Sequence, residues 1–169
     1  MVRKATIQDV SRIAEIIVFG KRVAYRTIFN DDIGSFNELQ VINIIDEYRE
    51  NPGLLEHMLV YDDGIVKGVI NRKHIDDCVE LYEFYVEPFF KGKGIGRELI
   101  QTVISEAKAE NIKKLFLWVI KDNLAARKFY EANGFIANGD TCLIEGTTIT
   151  DMCYELRIAG NKVYIPEVY

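Results

Sequence analysis

From residue 89 to 99 the chain reads FFKGKGIGREL, with Gly92, Gly94 and Gly96 alternating with Lys93 and Ile95, and with Lys91 and Arg97 at either end. Pro88 stops the strand-like run before it, and apolar residues at helical spacing begin at Ile95. A strand end, a flexible turn and a helix start in that order leave the unpaired N–H groups of a first helical turn converging on one point. The helix dipole adds partial positive charge there. Glycine lets an anion as large as a pyrophosphate come close to the backbone, and three glycines are a costly way to build a mere turn. Two familiar phosphate loops do not fit. A P-loop needs Gly-Lys followed by Ser or Thr, whereas Gly92-Lys93 is followed by Gly94, and Glu87 stands where the first glycine belongs. A dinucleotide fingerprint sits after the first strand of a doubly wound sheet, whereas this segment comes late and carries Arg97 in place of the last glycine. The segment Lys91, Gly92, Lys93, Gly94, Ile95, Gly96 and Arg97 is therefore expected to hold a phosphate group by physics shared with those loops, in another fold.

The whole chain limits the alternatives. At 169 residues and 49% hydrophobic it can bury a sizeable core, and one domain is expected over 1–169. The net charge of −5, with no long basic run, argues against nucleic acid and suits a small cationic substrate as well as ordinary solubility. No apolar run reaches the ~18 residues of a membrane span, and the N-terminal MVRKATIQDV lacks an apolar signal core. Cys78, Cys142 and Cys153 are odd in number and widely spaced, which fits free thiols in a reducing cytoplasm. His57 and His74 stand without a ligand-like cluster, so no metal is expected.

The elements that would position the glycine segment follow from periodicity. Residues 2–6 predict a strand, and Thr6 with Asp9 a capping-box helix start. Ile13, Ile16 and Ile17 predict a helix over about 8–19. Residues 20–36 allow further helix or loop, and a second helix is expected over roughly 37–50, stopped before Pro52. HMLVYDDGIVKGVINRK predicts a hairpin about a two-residue Asp63-Gly64 turn. CVELYEFYVEP is aromatic and β-branched, a strand over 78–88. After the glycine segment, apolar spacing carries a helix to about Asn111. KKLFLWVI predicts a strand covered on both faces. Asn123 is expected to cap a helix over 124–133 that Gly134 ends. A closing hairpin about Glu145-Gly146 completes the order β-α-α-β-β-β-α-β-α-β-β. A two-residue turn there would set Cys142 opposite Ile149 rather than Cys153. Residues 159–169 are a tail or an edge strand. Hairpins in the first half and a β-α-β unit in the second imply an α/β fold with a mixed sheet of about seven strands flanked by four helices.

VEPFFKGKGIGRELI resembles the acetyl-coenzyme A segment of the GNAT N-acetyltransferases, with Val86, Pro88, Lys91, Gly94 and Gly96 at the matching places. Lys91 departs from the usual Gln or Arg and lacks a planar fork. NLAARKFYEANGF resembles the family's second block through Asn123, Ala126, Phe129, Tyr130, Gly134 and Phe135. Two blocks in the right order carry more than either alone, and the element order over 2–158 fits as well. The resemblance implies a splayed sheet whose gap takes the acetyl-pantetheine arm against the backbone of Phe84, Tyr85 and Val86. It implies acetyl-CoA as cosubstrate without metal, direct attack by an amine, and Tyr130 as the acid that protonates the leaving thiolate. Ala126 and Tyr130 lie one helical turn apart on one face, so the small side chain clears the cofactor while the phenol reaches it. Glu80, taken by strand alternation to share a face with Tyr82 and Phe84, is the expected base, and Glu83 on the other face the alternate. Tyr25, Arg26, Phe29 and Tyr82 are expected at the acceptor. Arg26 suits a carboxylate, and Asp31 and Asp32 suit an amine. A small amine such as a polyamine is the implied acceptor, with a protein N-terminus or lysine as the alternative. A coenzyme A sensor without catalysis and a small kinase are the rival classes, and a homodimer is open.

Overall fold

Each predicted element forms, in the predicted order. The computed structural model describes residues 1–158, and residues 159–169, with the tail expected there, lie outside the described residues. The strands are β1 (Val2–Lys4), β2 (Leu59–Asp62), β3 (Val66–Ile75), β4 (Cys78–Val86), β5 (Lys114–Ile120), β6 (Ile136–Leu143) and β7 (Thr150–Arg157). The helices are α1 (Val10–Phe29), α2 (Val41–Glu50), α3 (Ile95–Ala109) and α4 (Leu124–Ala132). The sheet order is β1-β2-β3-β4-β5-β7-β6. β4 and β5 pair parallel and every other neighbouring pair is antiparallel, which makes the mixed sheet that the order of elements implies.

Alternation along the strands divides the core between the two faces. Leu59, Ile70, Val79, Leu81, Leu115, Leu117 and Val119 pack under Leu99, Ile100 and Val103 of α3. Val60 and Val69 pack under Ile13, Ile16 and Ile17 of α1 and Tyr48 of α2. β5 differs from its expectation. Its Leu115–Leu117–Val119 face is buried, but Trp118 on the other face is 39% exposed, because α1 packs on β3 and β4 and does not cover β5. A continuous apolar run reads the same whether one face or both are covered.

α1 starts as predicted, with the Thr6 N–H donating to Asp9 Oδ2 at 2.8 Å, but it does not stop near residue 19. It runs to Phe29 and closes on Asn30 in a left-handed conformation, φ 50°. Gly20 inside a helix costs about 1 kcal/mol relative to alanine, and here it serves packing: a Cβ on Gly20 would lie 2.7 Å from Cδ1 of Tyr85. Residues 34–38 form a π-helical turn, so α2 begins only at Val41.

Both hairpin turns are longer than two residues. Asp62 pairs with Val66, leaving a three-residue loop in which the Asp62 carboxylate accepts the Gly64 N–H at 2.9 Å. The closing hairpin is held by the Ile144 N–H on the Ile149 carbonyl at 2.8 Å. That register puts Asp151, not Ile149, opposite Cys142. Among the described residues no helix is long and apolar enough to cross a membrane.

Candidate active site

β4 and β5 are nine and seven residues long but pair only where Cys78–Glu80 meets Lys114–Phe116. Beyond Glu80 the strands part, and a cleft of about 800 Å³ opens between them. Phe84, Tyr85 and Val86 line one wall, Trp118 and Val119 the other.

One end of the cleft is the glycine segment. Pro88–Phe90 make one 3₁₀ turn, Gly92 sits at φ 76°, and Gly94 is the N-cap of α3 at φ 81°. The left-handed N-cap turns the chain from the strand into the helix, whose first-turn N–H groups have no partner within the helix. Lys91, Gly92, Gly94, Ile95, Gly96 and Arg97 all line the cleft. Lys93 is not among the lining residues, and its ammonium lies over the Phe90 ring, 5.1 Å from the centroid.

The α4 side carries the second block. Asn123 caps the helix as expected, its Oδ1 accepting the Ala126 N–H at 3.2 Å. Asn123, Ala126, Phe129 and Tyr130 line the cleft. The Tyr130 ring meets Phe129, Phe135 and Phe84 at centroid distances of 5.5, 5.9 and 6.3 Å. Burial pushes its phenol well above the ordinary value, with the neighbouring Tyr25 pushing the same way, so the group keeps its proton at any neutral pH.

β4 carries a bulge that rearranges the expected faces. Asn71 pairs with Tyr82, yet Val69, two residues away, pairs with Tyr85, three residues on. The extra residue places Tyr82 and Tyr85 on one face and returns Phe84 to the face of Val79 and Leu81, so Phe84 does not share a face with Glu80 and Tyr82. Glu83 sits in the bulge at φ 44°. Its Oε1 is 2.8 Å from Lys21 Nζ, and its Oε2 is buried with no hydrogen-bond partner among the described residues. Glu80 and Tyr82 do not line the cleft. They open into a second cavity of about 680 Å³ beside His57, Lys73 and His74.

The expected acceptor residues separate too. Tyr25 lines the cleft, and its hydroxyl is 3.3 Å from that of Tyr85. Burial raises the Tyr25 phenol and raises that of Tyr85 further. Arg26 and Phe29 are not lining residues. Arg26 points outward onto Asp32 at 2.7 Å. Phe29 meets Tyr25 edge-on at 6.1 Å. Gly20, Val23, Ala24, Thr27 and Ile28 line the cleft unpredicted. Their spacing of i, i+3, i+4, i+7 and i+8 is a helical stripe that was legible once α1 is allowed to continue. Trp118 gave no such signal, lying inside an apolar run. Among the described residues no group of three or more metal-ligating side chains occurs.

Comparison with known proteins agrees with this geometry. N-acetylaspartate synthetase of Rattus norvegicus is 33% identical over 106 residues, which are 61% of this chain and 36% of that protein. The chain thus spans about a third of that relative's length. Spermidine N(1)-acetyltransferase of Thermoplasma acidophilum is 24% identical over 79% of this chain and 86% of its own. The solved PaiA N-acetyltransferase of the same organism, in complex with coenzyme A, superposes with a TM-score of 0.74 at 22% identity, over 93% of this chain and 98% of that one. The family model described as acetyltransferase (GNAT) matches residues 22–135, which include both sequence blocks and both splayed strands, and the chain belongs to that family.

Proposed function

We propose that the protein transfers the acetyl group of acetyl-CoA to a primary amine by direct attack while both are bound. The observation that carries this is the parting of β4 from β5 after Glu80, with the glycine N-cap of α3 at one end of the gap and Tyr130 in its wall. The first-turn N–H groups of α3, with Lys91 and Arg97, would take the pyrophosphate. The free backbone edge of Phe84, Tyr85 and Val86 would pair with the pantetheine arm as an added strand does. A backbone N–H near Val86 would stabilise the developing oxyanion. The thioester supplies an activated acetyl carbonyl. Tyr130, protonated and within the cleft wall, would donate its proton to the departing sulfur. An ordinary phenol is already a weaker acid than a thiol, about 10 against roughly 8.5, and burial raises this one further, so it acts through position rather than acid strength.

An alkylammonium near 10.4 costs roughly 4–5 kcal/mol to deprotonate at pH 7, so a base is needed. Of the two β4 carboxylates, position favours Glu83. Neither lines the cleft: Glu80 opens into the other cavity, whereas Glu83 lies behind the Tyr25–Tyr85 pair that does line it. The acceptor class that fits is a small amine, the polyamines foremost. Arg26 is neutralised by Asp32 and turned outward, which removes the group best suited to an acceptor carboxylate, and a relative that matches over most of both chains is named spermidine N(1)-acetyltransferase. The test is a panel of spermidine, spermine, putrescine and a free-amine tetrapeptide with acetyl-CoA, read as released thiol. Turnover of the polyamines well above the tetrapeptide is the expected result. Preference for the tetrapeptide would move the acceptor to proteins, and coenzyme A binding without turnover of any amine would make the chain a sensor.

A further inference from the structure

β2 pairs with β3 only as far as Leu59 and Ile70, so beyond Ile70 one edge of β3 has no strand beside it. The chain ahead of β2 takes that place. The Leu54 carbonyl accepts Asn71 Nδ2 at 2.8 Å, and the His57 carbonyl accepts Arg72 Nε at 3.0 Å. The cavity of about 680 Å³ that Glu80 opens into lies along this edge, and it shares no lining residue with the cleft. Register gives it walls from both faces of the sheet. Arg72 stands opposite Leu81 on the α3 face, and Lys73 opposite Glu80 on the other.

Its lining is unlike the rest of the chain. The whole carries a net charge of −5, yet this cavity gathers His57, Arg72, Lys73 and His74 against one carboxylate, Glu80. The chain's two histidines are both here, with ring centroids 4.6 Å apart. Arg72 is 7% exposed. Its Nε holds the His57 carbonyl and its Nη1 holds Glu106 of α3, which leaves Nη2 without a hydrogen bond among the described residues. A buried guanidinium donor without an acceptor is uncommon, and the cavity is the space that Arg72 lines. Lys73 is exposed and makes no ion pair among the described residues, although Glu80 is its register partner. His74 Nε2 lies 3.3 Å from Glu110, which occupies one of that ring's two nitrogens.

We propose that this cavity is a second ligand site, separate from the cleft, which takes a small molecule by a carboxylate or phosphate group. An oxyanion there meets the ammonium of Lys73, the spare donor of Arg72 and imidazole N–H groups, and hydrogen bonds to charged donors are the strong ones. Glu80, the one carboxylate in the lining, restricts the occupant to a single anionic group. Glu80 is also the last residue of β4 to pair with β5, so the occupant lies against the strand where the cleft begins to open.

Because both histidines line this cavity, their imidazole C–H resonances report on it directly. The measurement is a proton–carbon NMR titration of the whole chain at neutral pH with inorganic phosphate and, separately, with acetate, against sodium chloride at matched ionic strength. Each titration is repeated with coenzyme A saturating and in Lys73→Glu and Lys73→Gln. At least one of the two anions should shift both imidazole signals saturably, with a Kd of about 10 mM or tighter, and the tighter of the two names the group that the ligand carries. Coenzyme A should leave that Kd unchanged. Lys73→Glu changes an exposed side chain and spares Arg72 and its contacts, and it should raise the Kd about tenfold or more, with a smaller rise in Lys73→Gln. Shifts no larger than chloride gives, shifts that never saturate, or one Kd shared by wild type and both lysine variants would overturn the proposal. So would loss of the response when coenzyme A is present, because the anion would then have acted from the turn into α3.

Discussion

Tyr130 illustrates how a single side chain can be assigned before its neighbours are known. Its place in the second sequence block points to the thiolate, and the fold puts its ring against Phe84, Phe129 and Phe135 with the phenol raised by burial. A phenol that holds its proton so firmly cannot serve as a base, and the proposed role, hydrogen-bond donation to the leaving sulfur, needs it protonated. Tyr130→Phe keeps the ring contacts and removes only the oxygen. The expected outcome is a fall in kcat of roughly ten- to a thousandfold with little change in coenzyme A affinity, read by steady-state kinetics beside a binding titration. A wild-type kcat with chemistry shown to be rate-limiting would leave Tyr130 as a packing residue and water as the acid.

At the scale of elements, the glycine segment and the bulge show what a sequence discloses and what it does not. The turn into α3 was legible because its chemistry is local: φ 81° at Gly94 is open to glycine and strained for a β-branched residue. A Cβ on Gly94 would meet no atom within 4 Å, so the cost of Gly94→Val is conformational and falls on the direction of the first-turn N–H groups. We expect the Kd for coenzyme A to rise at least tenfold in that variant and less than threefold in Lys93→Ala, whose ammonium already rests on Phe90. Equal affinity of the valine variant, by calorimetry, would remove the pyrophosphate from this turn. The order of all eleven elements and the helix caps at Thr6 and Asn123 were legible for the same local reason. The bulge at Glu83 was not, since it exists only in the pairing of β4 with β3, and alternation read from one strand passes over it. That omission moved Phe84 to the wrong face. The length of α1 was hidden similarly: Gly20 reads as a stop until Tyr85, distant in sequence, is seen packed where its side chain would be.

Over the whole molecule, the N-terminal strand is tied to the rest by its ladder to β2 and by one guanidinium that bridges two carboxylates. Arg3 on β1 lies 2.8 Å from Asp9, just before α1, and 2.7 Å from Asp62 at the end of β2, so the first strand, the start of α1 and the distant end of β2 meet at one charge. The Arg3 hydrogen bond lowers the Asp9 carboxyl to about 2, with burial opposing and the Thr6 N–H assisting. Asp62 is lowered for the same first reason. A carboxyl whose folded value lies below its unfolded value, near 3.9, stabilises the fold above the unfolded value, and the contribution disappears as the pH falls toward the folded value. Asp9 is nearly buried but Arg3 is 36% exposed along its side chain, so solvent screening reduces the linkage to about 1–2 kcal/mol. That stabilisation should be present at pH 6 and mostly gone at pH 2. Arg3→Met should accordingly lower the unfolding free energy by about 1–2 kcal/mol at pH 6 and by much less at pH 2.5, as read from urea midpoints at the two pH values. A variant that stays parallel to the wild type across that window would show that the Arg3 contacts contribute through packing, with no part played by the ionisation of Asp9.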